Sequence, residues 1–214
     1  MAYVVGSNLF LHVPKMGGKA VLSQLRAAGN TVRPVRSPGV HVGHAYEREL
    51  RDRRYRWNFR FGFIRHPVAW WQSLRDFAST PGSQLFDIDP QVRHPFREII
   101  PDCLRLKDAT ADEFVHEIAV VKFPGFLSSM LSDYYGADFS RVDWIGRTET
   151  LDDDLVEFCR MQGLRPTRPA RVNVSRPARV DRLTASVVSD VESIEADMIG
   201  RFYGGRGTKE GIAI

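Results

Sequence analysis

The stretch HVPKMGGK, residues 12–19, sets two lysines, Lys15 and Lys19, around two glycines, Gly17 and Gly18, directly behind the apolar run NLFL. Only five of the chain's 30 basic side chains are lysine, so this pairing stands out against an arginine-rich background. Glycines let the backbone turn tightly and approach a ligand closely. A helix starting here would add unpaired N–H groups and a partial positive charge to the same turn. That is the chemistry of an anion site, to which the two ammonium groups would add full charge. A second stretch, RHPVAWWQS, puts Arg65 at the end of an apolar run and Ser73 two turns into the segment after Pro67. A guanidinium and a hydroxyl can converge on one phosphate. Singly, each also has a plain structural explanation, Arg65 as a helix-end ion pair and Ser73 as an ordinary helix serine.

The loop is not a Mg²⁺-nucleotide loop of the GxxxxGK[ST] type. Val13 stands at the first glycine of that pattern and Ala20 at its hydroxyl.

These side chains need elements to position them. Residues 8–13, apolar and followed by Pro and Gly, read as a buried strand, and 18–29, with Val21, Leu22 and Leu25 at helical spacing, as the next helix. TVRPV reads as an edge strand because it carries Pro34. Residues 45–57 read as a charged helix and 59–65 as a strand. A helix begins at Pro67, with Trp70, Leu74 and Phe77 on its buried face. Helical pieces are expected near 110–118 and 124–135, a strand at 142–147, and a helix after it whose acidic first turn suits the helix dipole. A last helix is expected over 181–202, with Leu183, Val187, Val191, Ile194, Met198 and Phe202 as its core stripe. Residues 79–109 hold four prolines and little periodicity, which fits a lid or acceptor-binding insertion in a single domain spanning 1–214, or else a plain surface insertion. Strands alternating with helices predict an α/β fold with a mainly parallel central sheet flanked by helices, and ligands at the carboxyl ends of its strands.

The 214 residues carry a net charge of +4 and are 43% hydrophobic, which excludes a disordered or collagen-like chain. The basic excess suits an anionic ligand or a solvated surface. The two cysteines, Cys103 and Cys159, show neither a disulfide framework nor metal-site spacing. The first residues lack a leader-like pattern and an apolar stretch long enough to span a bilayer, so a soluble cytoplasmic protein is expected. RELRDRRYRWNFR interleaves arginines with Tyr55 and Trp57, as a single-strand binder would, but Glu47, Glu49 and Asp52 dilute its charge and favour a solvated helix.

Taken together, these segments resemble the sulfotransferases, in their carbohydrate-type and bacterial branch. FLHVPKMGGKAVLSQL is similar to that family's 5′-phosphosulfate loop, and FGFIRHPVAWWQS to its 3′-phosphate motif, with Arg65 and Ser73 at the family's spacing. VGHAYEREL, VDWIGRTETLDDDLVEFC and RVNVSRP resemble further segments, in family order over about residues 8–202. The resemblance implies a P-loop-kinase-like fold that takes 3′-phosphoadenosine 5′-phosphosulfate as donor, without a metal, and passes its sulfuryl group to a hydroxyl, chiefly on carbohydrate. It makes Lys15 the cation at the leaving phosphate and His44 the base, with His41 as its rival. Residues 15–20 (Lys15, Met16, Gly17, Gly18, Lys19, Ala20) would hold the phosphosulfate, and Arg65 and Ser73 the 3′-phosphate. Arg147, Asn173 and Ser175 would lie at the nucleotide. His12 is expected to be a buried strand residue instead. Met16, Lys19 and Ala20 depart from the family, standing where threonine or serine is usual. Either Lys19 replaces lost hydroxyl bonds with charge, or the loop has changed its ligand. An inactive nucleotide-binding relative and a kinase on the same fold are the alternatives, and neither nucleic acid nor membrane is expected as a partner.

Overall fold

The computed structural model describes residues 2–35, 57–83, 96–166 and 182–204, and the backbone of 212–213. His41, His44, Asn173 and Ser175 lie outside the described residues, as do the helix expected at 45–57 (Trp57 apart) and the middle of 79–109.

In chain order the elements are β1 (Ala2–Val5), β2 (Asn8–Leu11), α1 (Gly18–Ala27), β3 (Val32–Pro34) and β4 (Phe59–Ile64). There follow α2 (Pro67–Ser79), α3 (Ile100–Arg105), α4 (Ala111–Val115) with a π-helical continuation (His116–Lys122), and α5 (Phe126–Tyr135). Then come β5 (Trp144–Arg147), a 3₁₀ turn (Thr148–Thr150), α6 (Leu151–Met161), α7 (Ala185–Ile194), α8 (Ala196–Tyr203) and β6 (Ile212–Ala213). The chain forms two compact units, Met1–Arg65 with Leu131–Val174 and Arg206–Ile214, and His66–Met130 with Ser175–Gly205.

The first unit holds a sheet with strand order β3-β1-β2-β4-β5-β6. β2 pairs parallel with β4, and β4 with β5. β1 runs antiparallel to both β2 and β3, and β6 antiparallel to β5. The sheet is therefore mixed, and the expectation of a mainly parallel sheet holds only for its centre. The reason is β1, which folds back on β2 through a two-residue Gly6-Ser7 turn with Gly6 at φ 60°. β3, with Pro34, lies at the sheet edge as expected, where a missing N–H costs no ladder bond.

β2 is buried along its whole length, which is why it reads as a continuous apolar run. On one face Phe10 stacks on Phe61 at 5.0 Å, and Phe158 of α6 lies 3.8 Å from Phe61 and 5.3 Å from Trp144. On the other face the Tyr135 ring takes the space a side chain at Gly62 would need, and its hydroxyl donates to the Phe63 carbonyl at 2.9 Å. Burial pushes the Tyr135 phenol far above its ordinary value, so it remains a neutral donor. At the starts of β4 and β5 the Arg60 guanidinium pairs with Asp143 at 2.9 Å. Burial works to raise the Asp143 carboxyl, but Arg60 outweighs it and holds that group below the usual carboxylate range.

The second unit packs around α2, whose Trp70, Trp71, Leu74 and Ala78 are buried, while Phe77 is half-buried. Trp70 meets Phe96 at 5.9 Å and Phe126 at 6.2 Å. Phe96, Ile99 and Cys103 are all buried, so the described flank of 79–109 is core. Burial pushes the Cys103 thiol up to about 12, which leaves it inert near neutral pH. α4 opens with a capping box in which Thr110 Oγ1 accepts from the Glu113 N–H and the Glu113 carboxylate from the Thr110 N–H.

The helix expected over 181–202 is instead two helices, α7 and α8, that meet at Glu195. Glu195 is 2% exposed. Its carboxylate accepts from the Ser128 hydroxyl and from the N–H groups of Leu127 and Ser128 at the start of α5. The break lets a carboxylate from one helix cap another. Burial outweighs these donors and raises its pKa. A raised carboxyl pKa contributes stability at low pH that is lost as pH rises through the folded value. Glu195→Gln, which has no charge to desolvate, should therefore gain on the wild type as pH rises above about 4.5. Urea titrations of both proteins at pH 4 and pH 7 check this. A stability difference independent of pH would contradict it.

Candidate anion-binding site

β2 ends at Leu11, and the chain turns through 12–17 into α1. His12 is 7% exposed and its ring stacks on Phe10 at 5.7 Å, in line with a buried role. The imidazole fills the space a side chain on Gly18 would occupy. Gly17 is the N-cap of α1, at φ 75°, and a Cβ there would stand 2.8 Å from Leu151 Cδ1. Both glycines are thus dictated by close packing, and Gly17 also by its left-handed backbone. The Gly17 carbonyl accepts from Ala20 and Val21 at 2.9 and 3.1 Å, which closes the first turn. α1 has no side-chain cap and no acidic residue in that turn. Among the described residues, the first turn of α1 therefore brings no carboxylate of its own to the site of an incoming anion.

Lys15 sits at φ 65°, a left-handed conformation that costs a lysine about 1 kcal/mol or more. It is half-buried, whereas Lys19 is exposed. Met16 is 1% exposed, so its side chain belongs to the core. Ala20 is half-buried.

Register brings further cations to the same edge. Leu11 lies opposite Gly62, and Ile64 opposite Arg147. The loop follows β2, Arg65 follows β4, and Arg147 ends β5, so Lys15, Arg65 and Arg147 gather at the carboxyl ends of three adjacent parallel strands. Neighbouring strands lie about 4.8 Å apart, which spreads these ends over about 10 Å. This edge is where ligands bind in α/β sheets. Ser73 lies on α2 in the other unit and is half-buried.

Three residues that sequence reasoning did not single out hold this edge together. Asp154, 8% exposed, accepts from the Arg147 N–H at 2.6 Å. Asp152 accepts from Gln24 of α1 at 2.6 Å. Thr148 donates to the Ile64 carbonyl at 2.8 Å. The acidic run DDD does more than meet a helix dipole, since two of its carboxylates tie α6 to α1 and to β5. Its density of charge beside apolar Leu151 and Leu155 was the available signal.

Among the described residues, no group of three or more His, Cys, Asp or Glu is placed to hold a metal, and no single helix is long and apolar enough to cross a membrane. No protein-family model, curated protein or solved structure matches the chain.

Proposed function

We propose that this protein is a sulfotransferase that moves the sulfuryl group of 3′-phosphoadenosine 5′-phosphosulfate to an acceptor hydroxyl on a carbohydrate or small molecule. One observation carries the reading: a Gly-Gly turn and three basic residues share the carboxyl edge of β2, β4 and β5, with motif residues in the order the resemblance requires. The P-loop-kinase-like form of the fold belongs to this proposal.

The chemistry asks for a cation at the leaving phosphate, a base at the acceptor hydroxyl and a grip on the second phosphate. Lys15 supplies the first, beside the first N–H groups of α1. His44 takes the acceptor proton, a step suited to an imidazole near neutral pH. Arg65 and Ser73 hold the 3′-phosphate, a positioning task. Lys19 replaces with charge the hydroxyl bonds that Met16, Lys19 and Ala20 cannot make from their side chains. Asn173 and Ser175 complete the nucleotide end. The reaction draws on no metal.

The test is release of adenosine 3′,5′-bisphosphate from the donor, in EDTA, against a panel of sugar and small-molecule hydroxyls. Acceptor-dependent release that falls by about 10²- to 10⁴-fold in His44→Ala is expected. Binding without release from any acceptor would instead favour the reading prompted by the altered loop, a nucleotide-binding protein without transfer. Mg²⁺-dependent phosphate release from ATP would favour a kinase.

A further inference from the structure

The segment directly after β5 touches both halves of the candidate site. The Thr148 hydroxyl donates to the Ile64 carbonyl, which belongs to the peptide bond leading into Arg65. The same side chain lies against the loop, since a Cβ on Gly17 would stand 3.3 Å from Thr148 Cγ2 and 3.6 Å from its Oγ1. The turn carrying Thr148 is itself held, because the preceding Arg147 N–H donates to the buried Asp154 carboxylate. Next along the chain, Leu151 closes on Gly17 from α6. One short, anchored side chain therefore spans from the peptide that aims Arg65 to the turn that starts α1.

We propose that Thr148 is a positioning residue that fixes the separation between the Gly17–Gly18 turn and Arg65, so that the site selects ligands carrying two anionic groups over ligands carrying one. This rests on the donor-binding reading above. Its hydroxyl sets the direction of the Ile64–Arg65 peptide, and its methyl walls the turn. Neither group needs to touch the ligand. A ligand with a single phosphate uses one half of the site and is indifferent to the spacing. A bisphosphate must match both halves at once, and a mismatch forfeits the advantage of the second contact.

The experiment compares wild type, Thr148→Val and Thr148→Ser by calorimetric titration with adenosine 3′,5′-bisphosphate and with adenosine 5′-monophosphate. Valine keeps the shape and removes the hydroxyl, and serine does the reverse. In Thr148→Val, bisphosphate affinity should fall about tenfold while monophosphate affinity holds, and Thr148→Ser should retain most of the preference. Equal losses for both ligands in Thr148→Val, or no loss for either, would overturn the positioning role. A wild type that binds neither ligand would overturn the donor-binding reading and this inference with it. A wild type that binds the two ligands equally would overturn the inference alone.

Discussion

On the proposed sulfotransferase reading, replacing Lys15 by glycine should lower sulfuryl transfer by about a thousandfold, in the range for losing one preorganised charge at a developing anion, and should leave the fold intact. The backbone makes this a sharp test. Lys15 holds a left-handed φ of 65°, which a side chain tolerates poorly. Glycine relieves about 1 kcal/mol of that strain. It also gives the unfolded chain more freedom, at a cost of about 0.4–1 kcal/mol. The two effects nearly cancel, so unfolding free energy should stay within about 1 kcal/mol of wild type. Lys15→Ala should lose the same activity and keep the strain. Initial rates under saturating donor and urea denaturation check both variants. Full activity in Lys15→Gly would show that the lysine is not the cation at the leaving group.

Gly18→Ala should destabilise the first unit by about 1–3 kcal/mol and weaken donor binding severely. The added methyl falls where the His12 imidazole lies, and His12 is 7% exposed and stacked on Phe10. Either the ring or the start of α1 must move. Movement of α1 displaces the N–H groups that the proposed anion site depends on. His12→Ala clears the space, so the double variant His12→Ala/Gly18→Ala should be more stable than the sum of the single effects by about 1–2 kcal/mol. Thermal unfolding of the four proteins in the cycle measures this coupling. Strict additivity would mean that ring and glycine do not meet.

The elements behind this site were legible in the sequence wherever the cause is local. NLFL reads as a buried strand because β2 is covered on both faces, Pro34 marks the sheet edge, and Pro67 marks the start of α2. The β1–β2 hairpin also has a local signal, the Gly6-Ser7 pair between apolar residues, which reading that stretch as a chain start leaves unused. The break at Glu195 left no such trace. Val191, Met198 and Phe202 keep a helical stripe across it, and what turns the chain is the start of α5, some 67 residues away in sequence. The site divides in the same way. Gly17, Gly18, Lys15 and Arg65 were readable from residue type and spacing. Thr148 was not, because a hydroxyl bonded to a carbonyl 84 residues away has no local pattern. Asp154, which accepts from an N–H only seven residues back, sits in an acidic run whose charge is already accounted for by the helix dipole. The left-handed backbone of Lys15 was equally invisible, since nothing in a lysine side chain favours that conformation.

The central claim, that the carboxyl edge of β2, β4 and β5 holds the bisphosphate end of a sulfuryl donor, is tested most directly by isothermal titration calorimetry with adenosine 3′,5′-bisphosphate in EDTA. Wild type should bind in the micromolar range and Arg65→Ala about 30- to 150-fold more weakly, the loss of about 2–3 kcal/mol expected for a charge-assisted phosphate contact. No binding to wild type, or equal binding to both proteins, would contradict the claim.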